Sequence, residues 1–184
     1  MVAPGALATV TDAMTSQGIA AIAALPDARL ADVAAEAPVL VCVRVADPGN
    51  AGTLLRSAEG AGFGAVLFTS GSVDPFAPKC VRASAGSVFR VPAIRGEEAA
   101  TVLDEVAATG RRRIGTRPTD APPFTDADLR GPLAIVVGSE AHGLPAGLDG
   151  AIDEWVSIPM AGRTESLNVA MAATLLCYEV LRRG

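Results

Sequence analysis

Short apolar runs alternate with amphipathic segments along most of the chain. Runs of aliphatic and β-branched residues predict strands buried on both faces at residues 39–45, 64–69, 112–116, 133–137 and 155–158. Apolar positions at helical spacing predict a helix capped by Asn50 and running to about Gly62, and further helices over residues 78–84, 97–109 and 166–182. Less regular apolar stretches predict a strand at residues 19–25 and an extended segment at residues 88–94.

This alternation of strands and helices predicts the α/β class. Its usual architecture is a mostly parallel sheet with helices on both faces. Ligands of such sheets bind beyond the carboxyl ends of the strands. The loops that follow Val45, Thr116, Val137 and Ile158 are therefore where we expect the chemistry of the protein.

Three of these loops combine glycines with polar side chains. They cover residues 47–52, 138–144 and 158–169, and the residues that could carry chemistry are Asn50, Arg56, Glu140, Ser166 and Asn168. Each of these residues also has a purely structural interpretation. Asn50 and Ser166 suit helix caps, Glu140 suits a turn, and Arg56 lies opposite an apolar helix stripe like an ordinary surface cation. Together, however, an amide, a carboxylate, a hydroxyl and a guanidinium at one sheet edge indicate a binding site.

Other kinds of site fit the sequence less well. The glycine-rich residues 60–64 follow a predicted helix and precede a strand, the reverse of a dinucleotide fingerprint. Ser139 or Ser166 with His142 could form a hydrolase pair, but Ser139 is not in a G-x-S-x-G elbow. His142 is the only histidine of the chain, so a histidine-rich metal site is excluded and no metal is expected.

Composition narrows the setting of the protein. The 184 residues suit one domain, and no run of about 18 apolar residues predicts a membrane span. The chain begins without the basic and apolar pattern of a secretory signal. Three cysteines without a CxxC spacing indicate free thiols in a reducing cytoplasm. The formal net charge of −5 argues against a nucleic-acid partner when it is taken over the whole chain.

The three loops resemble a known set of motifs. Asn50 with Arg56, Gly138-x-Glu140-x-x-Gly143-Leu144, and the segment from Ile158 to Val169 are similar to the signature motifs of the SpoU/TrmH branch of the SPOUT RNA methyltransferases. The resemblance covers residues 38 to 181, and residues 79–92 also resemble a segment of the family. It implies an α/β fold with a deep trefoil knot at the carboxyl end of the sheet, and a homodimer whose sites form at the subunit interface.

The resemblance also implies an activity and a site. The activity is S-adenosylmethionine-dependent methylation of a ribose 2′-hydroxyl in RNA, with rRNA favoured over tRNA; a non-catalytic RNA-binding member and a small-molecule methyltransferase remain alternatives. The pocket for the adenosine part of the cofactor would be lined by Thr116, Gly138, Ile158, Met160 and Leu167. Arg56 would activate the hydroxyl, either as a base or by stabilising a phosphate and the alkoxide, and Glu140 would orient Arg56 or Asn50. Asn50, Ser166 and Asn168 would position the ribose.

The chain divides into two parts in this interpretation. Residues 1–37 form an extension, of which 11–22 resembles the linker that follows an L30-like RNA-binding domain in larger relatives, and residues 38–184 form the catalytic domain. The charge is also uneven, because residues 78–117 hold eight basic against four acidic residues. Seven of these eight are arginines, which suit phosphate contact, so this segment predicts a local RNA-facing patch within an acidic protein.

Overall fold

The sheet is entirely parallel. The computed structural model describes residues 19, 21–139 and 142–184. Its six strands lie in the order β3-β2-β1-β5-β4-β6, and their bounds are β1 Val39–Cys42, β2 Ala65–Phe68, β3 Ala93–Arg95, β4 Arg112–Thr116, β5 Leu133–Val137 and β6 Glu154–Val156. The predicted α/β class and parallel sheet are confirmed. The predicted strands at 112–116 and 133–137 have the bounds that the structure gives them.

Two apolar clusters cover the two faces of the sheet. Four α-helices are present in the described part of the chain: α1 Pro48–Gly60, α2 Pro78–Ala83, α3 Ala99–Ala108 and α4 Val169–Arg183. Because neighbouring strand residues point to opposite faces, Leu40 joins Leu54 of α1 and Leu176 of α4, whereas Val41 joins Leu103 of α3. All five of these side chains have no exposed surface. Helices therefore lie on both faces, as predicted.

The two helices that border the candidate site begin at other residues than predicted. Asp47, not Asn50, caps α1, because its carboxylate accepts a hydrogen bond from the Asn50 amide at 2.8 Å and Pro48 occupies the first helical position. The last helix begins at Val169 instead of Ser166. Its cap is Asn168, whose Oδ1 accepts from the Ala170 amide at 2.9 Å. Ser166 is thus not a cap, and Asn50 lies within the first turn of α1.

Some apolar stretches were assigned wrongly. The strand predicted at residues 19–25 is absent from the described residues of that stretch, where Ile22 and Leu25 are exposed and have no strand beside them. The extended segment predicted at 88–94 divides into a 3-10 turn, Ser87–Phe89, and the short strand β3. The remaining predicted elements differ from the structure only at their ends, where β1 for example stops at Cys42.

The strand order explains where the candidate loops lie. The chain passes from β1 to β2 and β3 on one side, whereas β5, β4 and β6 lie on the other side of β1. Since all strands run in one direction, the loops after β1, β4, β5 and β6 leave the same edge of the sheet. The reversal of strand order between β1 and β5 is the place where α/β sheets open a crevice for ligands. Within the described residues, no helix is long and apolar enough to cross a membrane.

Candidate functional site

A cavity of about 320 Å³ opens at the carboxyl edge of β4, β5 and β6. Its size is at the lower end of the range of small-molecule sites in proteins. All five residues that the sequence predicts for cofactor binding line it, namely Thr116, Gly138, Ile158, Met160 and Leu167. The structure thus brings these residues together around one space.

The cavity has further walls besides the five residues predicted for cofactor binding. Val137, Val156, Val169 and Ala172 extend its apolar surface, and Arg117, Ser139, His142 and Glu165 add polar groups. Most of these residues directly adjoin a predicted site residue in the sequence. For Arg117, Val137, Ser139 and Val156 the signal that could have found them was their position at the carboxyl end of a strand, whereas Val169 and Ala172 line the cavity from α4.

A short turn closes one side of the cavity. The Ser139 and Gly143 backbones exchange hydrogen bonds of 3.1 and 2.9 Å, and the Ser139 hydroxyl accepts from the His142 amide at 3.3 Å. The turn passes so near β5 that a Cβ atom on Gly138 would lie 2.0 Å from the carbonyl carbon of Gly143. Only glycine fits there. Glu140 lies outside the described residues, so its predicted contact with Arg56 or Asn50 stays a prediction.

The first and third motifs meet through their amides. Asn168 Nδ2 donates to Asn50 Oδ1 at 3.0 Å, which joins the start of α1 to the start of α4 across 118 residues of sequence. This contact confirms that two of the predicted site residues are neighbours. Ser166 lines the cavity two residues before Asn168. Asn50 and Asn168 are not among the described residues that line the cavity, but Leu167 and Val169 on either side of Asn168 are, so the amide pair adjoins its wall.

Arg56 lies apart from the cavity. Its side chain is exposed on α1, six residues after Asn50, which corresponds to about 9 Å along the helix axis. Arg56 is absent from the described lining of the cavity and from the ion pairs between described residues. Within one chain, the structure therefore does not place this guanidinium beside the proposed cofactor residues.

The three cysteines are buried thiols. Cys42, Cys80 and Cys177 are free and buried. Burial raises the pKa of Cys80 to about 11 and that of Cys177 to about 12, so neither is a thiolate at neutral pH. No cluster of three or more His, Cys, Asp or Glu side chains suited to a metal ion occurs within residues 19, 21–139 and 142–184.

Most arginines of the predicted basic segment are held by the protein itself. Arg113 forms two hydrogen bonds of 2.7 and 2.8 Å with Asp153, whereas Arg112 pairs with Glu154 at 3.4 Å. Arg111 is buried and donates to the Ala37 carbonyl at 2.9 Å.

Two further arginines of the segment lie near a carboxylate. Arg90 is bound by Glu59, and Arg117 lies 3.9 Å from Asp149. The phosphate-binding capacity of this segment is consequently much smaller than its composition predicts.

Three cations of that segment remain: Arg95, whose guanidinium lies over the Phe76 ring at 5.6 Å, and two that lie near α1. Lys79 and Arg82 are exposed on α2 and, among the described residues, form no ion pair. The helices α1 and α2 are in close contact, since a Cβ atom on Gly52 would lie 2.4 Å from the Ala83 Cβ. Arg56 follows Gly52 by one helical turn and so lies on the same side of α1. Lys79, Arg82 and Arg56 therefore form a group of exposed cations, the α1/α2 corner.

Comparison with known proteins identifies the family. A model of the SpoU rRNA methylase family matches residues 37–178, which is most of the chain. The chain belongs to the SpoU rRNA methylase family. It is similar to the 23S rRNA (guanosine(2553)-2′-O)-methyltransferase RlmP of Bacillus subtilis, with 36% identity over 180 residues that cover 98% of this chain and 71% of RlmP.

Further similarity is found in Streptomyces viridochromogenes. The 23S rRNA (uridine(2479)-2′-O)-methyltransferase of this organism is 38% identical over 148 residues, which cover 76% of this chain and 50% of the relative. The structure of its SpoU methyltransferase AviRb in complex with AdoMet has a TM-score of 0.79 and 33% identity, covering 86% of this chain and 65% of AviRb. This chain thus spans between half and about seven tenths of the length of these relatives.

Proposed function

We propose that this SpoU-family chain transfers a methyl group from S-adenosylmethionine to a ribose 2′-hydroxyl of RNA, with 23S-type rRNA as the substrate class. The observation that carries the proposal is the Asn168–Asn50 hydrogen bond at 3.0 Å, which joins the first and third family motifs beside a cavity lined by the second and third. Family membership and the names of the relatives, two of which act on 23S rRNA, support the same substrate class.

The cavity residues fit S-adenosylmethionine. Aliphatic side chains from β5, β6 and α4 give the cavity a wide apolar wall for a flat aromatic base. Gly138 lets two backbone segments approach closely at that wall, where any Cβ would collide with Gly143. Polar groups such as Ser139 and Ser166 lie at its rim. In this proposal Thr116, Gly138, Ile158, Met160 and Leu167 hold the cofactor, which supplies an electrophilic methyl group on a sulfonium sulfur.

The polar residues then have separate tasks. A ribose hydroxyl is a weak nucleophile until its proton is lost or shared, and the transfer also requires an in-line approach. Asn50, Ser166 and Asn168 position the ribose, and Glu140 orients Arg56 or Asn50. Arg56 activates the hydroxyl, either as the base or by binding the adjacent phosphate in a bidentate manner and stabilising the alkoxide. The ribose oxygen would take the methyl group as the methyl–sulfur bond breaks, which would leave the cofactor as a neutral thioether, and the hydroxyl proton would pass to the base or to water.

The activity is tested directly with labelled cofactor. Purified protein is incubated with S-adenosylmethionine carrying a labelled methyl group and with 23S rRNA, 16S rRNA or bulk tRNA in separate reactions. We expect label in 23S rRNA, at a nucleotide that becomes resistant to alkaline cleavage through its 2′-O-methyl group. Label in tRNA alone would show that the substrate is tRNA instead of rRNA. Cofactor binding without transfer to any RNA would favour a non-catalytic RNA-binding protein. Transfer to small molecules only would favour a small-molecule methyltransferase.

The α1/α2 corner supplies the RNA-facing charge in this proposal. Replacing both Lys79 and Arg82 by Ala is expected to weaken RNA binding and to make the plot of log affinity against log salt concentration shallower by about 1.5, since each lost phosphate contact contributes about 0.7–0.9. Filter binding at several salt concentrations measures both effects. The matched control replaces Arg29 and Arg130, which are exposed and pair with nearby Asp27 and Asp128. Equal slopes for the two double variants would contradict an RNA contact at this corner.

We also propose that the protein is a homodimer through α4. Four apolar side chains on this helix, spaced by three or four residues, are 43–62% exposed: Met171, Leu175, Tyr178 and Leu181. An unpaired apolar stripe of this kind favours a helical interface. A second copy would also explain why Arg56 lies apart from the cavity of its own chain, because the family resemblance implies a site shared between subunits.

A single charged substitution in the apolar stripe of α4 tests the dimer. Leu175→Asp is expected to raise the dimer dissociation constant by at least about 100-fold, because a two-fold interface contains the substitution twice and each buried Leu contributes about 1.5–3 kcal/mol. Sedimentation velocity measures the change. Leu25→Asp makes the same substitution at an exposed position outside α4 and should leave the oligomeric state unchanged. A wild-type monomer with full activity would contradict the shared site.

The knot and the division of the chain are part of the same proposal. Residues 121–124 surround Ser157 just after β6, since Ser157 Oγ donates to the Ala121 carbonyl at 2.9 Å and the Phe124 amide donates to the Ser157 carbonyl at 2.9 Å. This close contact supports a knot in which the segment after β6 passes through the β4–β5 loop before α4 begins. We further propose that residues 38–184 form the catalytic domain, that residues 1–37 act as a linker, and that the protein is cytoplasmic.

A further inference from the structure

Arg117 occupies a constrained position at the edge of the cavity. It directly follows β4, and its amide donates to the Val156 carbonyl at 3.1 Å. Its guanidinium carbon lies 3.7 Å from the centre of the Trp155 ring, a cation–π contact that covers one face of the planar group. The carboxylate of Asp149 lies 3.9 Å away and is largely exposed, so it neutralises the charge only weakly.

One donor of this guanidinium lacks an acceptor. Arg117 Nε is buried and has no hydrogen-bond partner among the described residues. The Nε atoms of Arg111, Arg113 and Arg130 each donate to a protein oxygen at 2.8–2.9 Å. A buried donor without an acceptor costs about 1–3 kcal/mol. The Arg117 side chain is 33% exposed, so a small movement toward a ligand oxygen in the cavity would give this donor a partner and recover that cost.

The charge of Arg117 narrows the chemistry of that oxygen. Among the described residues that line the cavity, it is the one arginine or lysine. If the cavity holds S-adenosylmethionine, as the proposed function requires, the methionyl carboxylate is the only anionic group that the ligand offers. A planar guanidinium matches a carboxylate through two parallel N–H donors, and such charge-assisted bonds are about twice as strong as neutral ones.

We propose that Arg117, held flat against Trp155, binds the methionyl carboxylate of the cofactor. Arg117 is thereby a cofactor-binding residue outside the three motifs, and it sets the end of the cavity at which the amino-acid part of the ligand lies. It discriminates between S-adenosylmethionine and nucleosides that lack the carboxylate. The inference rests on the proposed function because it takes its ligand from it.

A ligand that lacks only the carboxylate tests this inference. Isothermal calorimetry of the full chain compares S-adenosylmethionine with decarboxylated S-adenosylmethionine, on wild-type protein and on Arg117→Met, which retains an unbranched chain for contact with Trp155. We expect Arg117→Met to weaken binding of S-adenosylmethionine by roughly 10- to 100-fold and binding of the decarboxylated ligand by no more than about twofold. Arg117→Lys retains the charge without the planar pair of donors and should fall between. Arg130→Met is the control, since Arg130 lies outside the cavity lining.

The outcomes separate this inference from the proposed function. Equal weakening of both ligands by Arg117→Met would show that Arg117 only shapes the wall, and unchanged affinity for both would show that it does not contact the ligand; each result overturns the inference while leaving the methyltransferase proposal intact. A wild-type protein that binds neither ligand overturns both. If Arg117→Met unfolds near the temperature of the calorimetry, Arg117→Lys takes its place. A larger loss of affinity for S-adenosylmethionine than for the decarboxylated ligand in Arg117→Lys then supports the inference, and an equal loss overturns it.

Discussion

Arg56→Ala is expected to lower the rate of RNA methylation by about 10²- to 10³-fold, the range measured when one charge-stabilising donor is removed from an active site. Its affinity for S-adenosylmethionine should stay unchanged, because Arg56 lies outside the described lining of the cavity. Single-turnover methylation with saturating cofactor, together with calorimetry, separates the two effects. Arg130→Ala removes an equally exposed guanidinium elsewhere and should retain the full rate. A fully active Arg56→Ala protein would remove Arg56 from the mechanism.

The same variant also tests where the site is assembled. Arg56→Ala and Ile158→Asp would each be inactive, the first without the activating guanidinium and the second with a charge in the apolar cavity wall. If Arg56 of one protomer serves the cavity of its partner, mixed dimers contain one intact site, and random mixing should restore about a quarter of the wild-type rate. Recovery should be absent if each chain uses its own Arg56. This mixing experiment therefore distinguishes a shared site from two independent ones.

Gly138→Ala is expected to have the largest effect on the cavity itself. The added Cβ would lie 2.0–2.3 Å from three backbone atoms of Gly143 and Leu144, which cannot move away as a flexible side chain could. We expect a loss of about 1–3 kcal/mol or more in the free energy of unfolding, together with loss of S-adenosylmethionine binding as the 139–143 turn is displaced. Chemical denaturation and calorimetry measure these quantities.

A second glycine provides the control for this substitution. A Cβ atom on Gly147 would meet no other atom within 4 Å, and its backbone does not adopt a positive φ. Gly147→Ala should therefore leave both stability and cofactor affinity close to those of the wild type. If Gly138→Ala behaved like Gly147→Ala, the close approach of the turn to β5 would have no functional consequence.

The sequence pattern was sufficient for the α/β class and the parallel sheet, and the family resemblance supplied the choice of the cofactor residues. Buried strands give continuous apolar runs, and parallel strands place their following loops at one edge, so the proximity of Gly138 to Ile158 followed from the pattern alone. The caps were less predictable because Asp47 and Asn50 are both good capping residues. Pro48, which favours the first helical position, was the signal that Asp47 is the cap.

Ion pairing could not be read from the sequence. Arg113 and Asp153 are 40 residues apart and meet only because β4 and β6 are neighbours in the sheet, a register that local patterns do not specify. The predicted basic patch was therefore too large. The apolar residues at 19–25 gave a wrong strand prediction because a strand needs a neighbouring strand, and the described residues there have none.

The contact between α1 and α4 also has a consequence for biosynthesis. The Ser57 hydroxyl meets the Thr174 hydroxyl at 2.6 Å, so the first α-helix packs against the last one. The ribosome releases the chain from its amino end, and the apolar side of α1 stays uncovered until residues 169–183 have emerged. Strand β1 likewise lacks one of its neighbours until β5 is made. The nascent protein thus depends on its final segment to hide surfaces made much earlier, and ribosome stalling before that segment should favour capture by chaperones or aggregation.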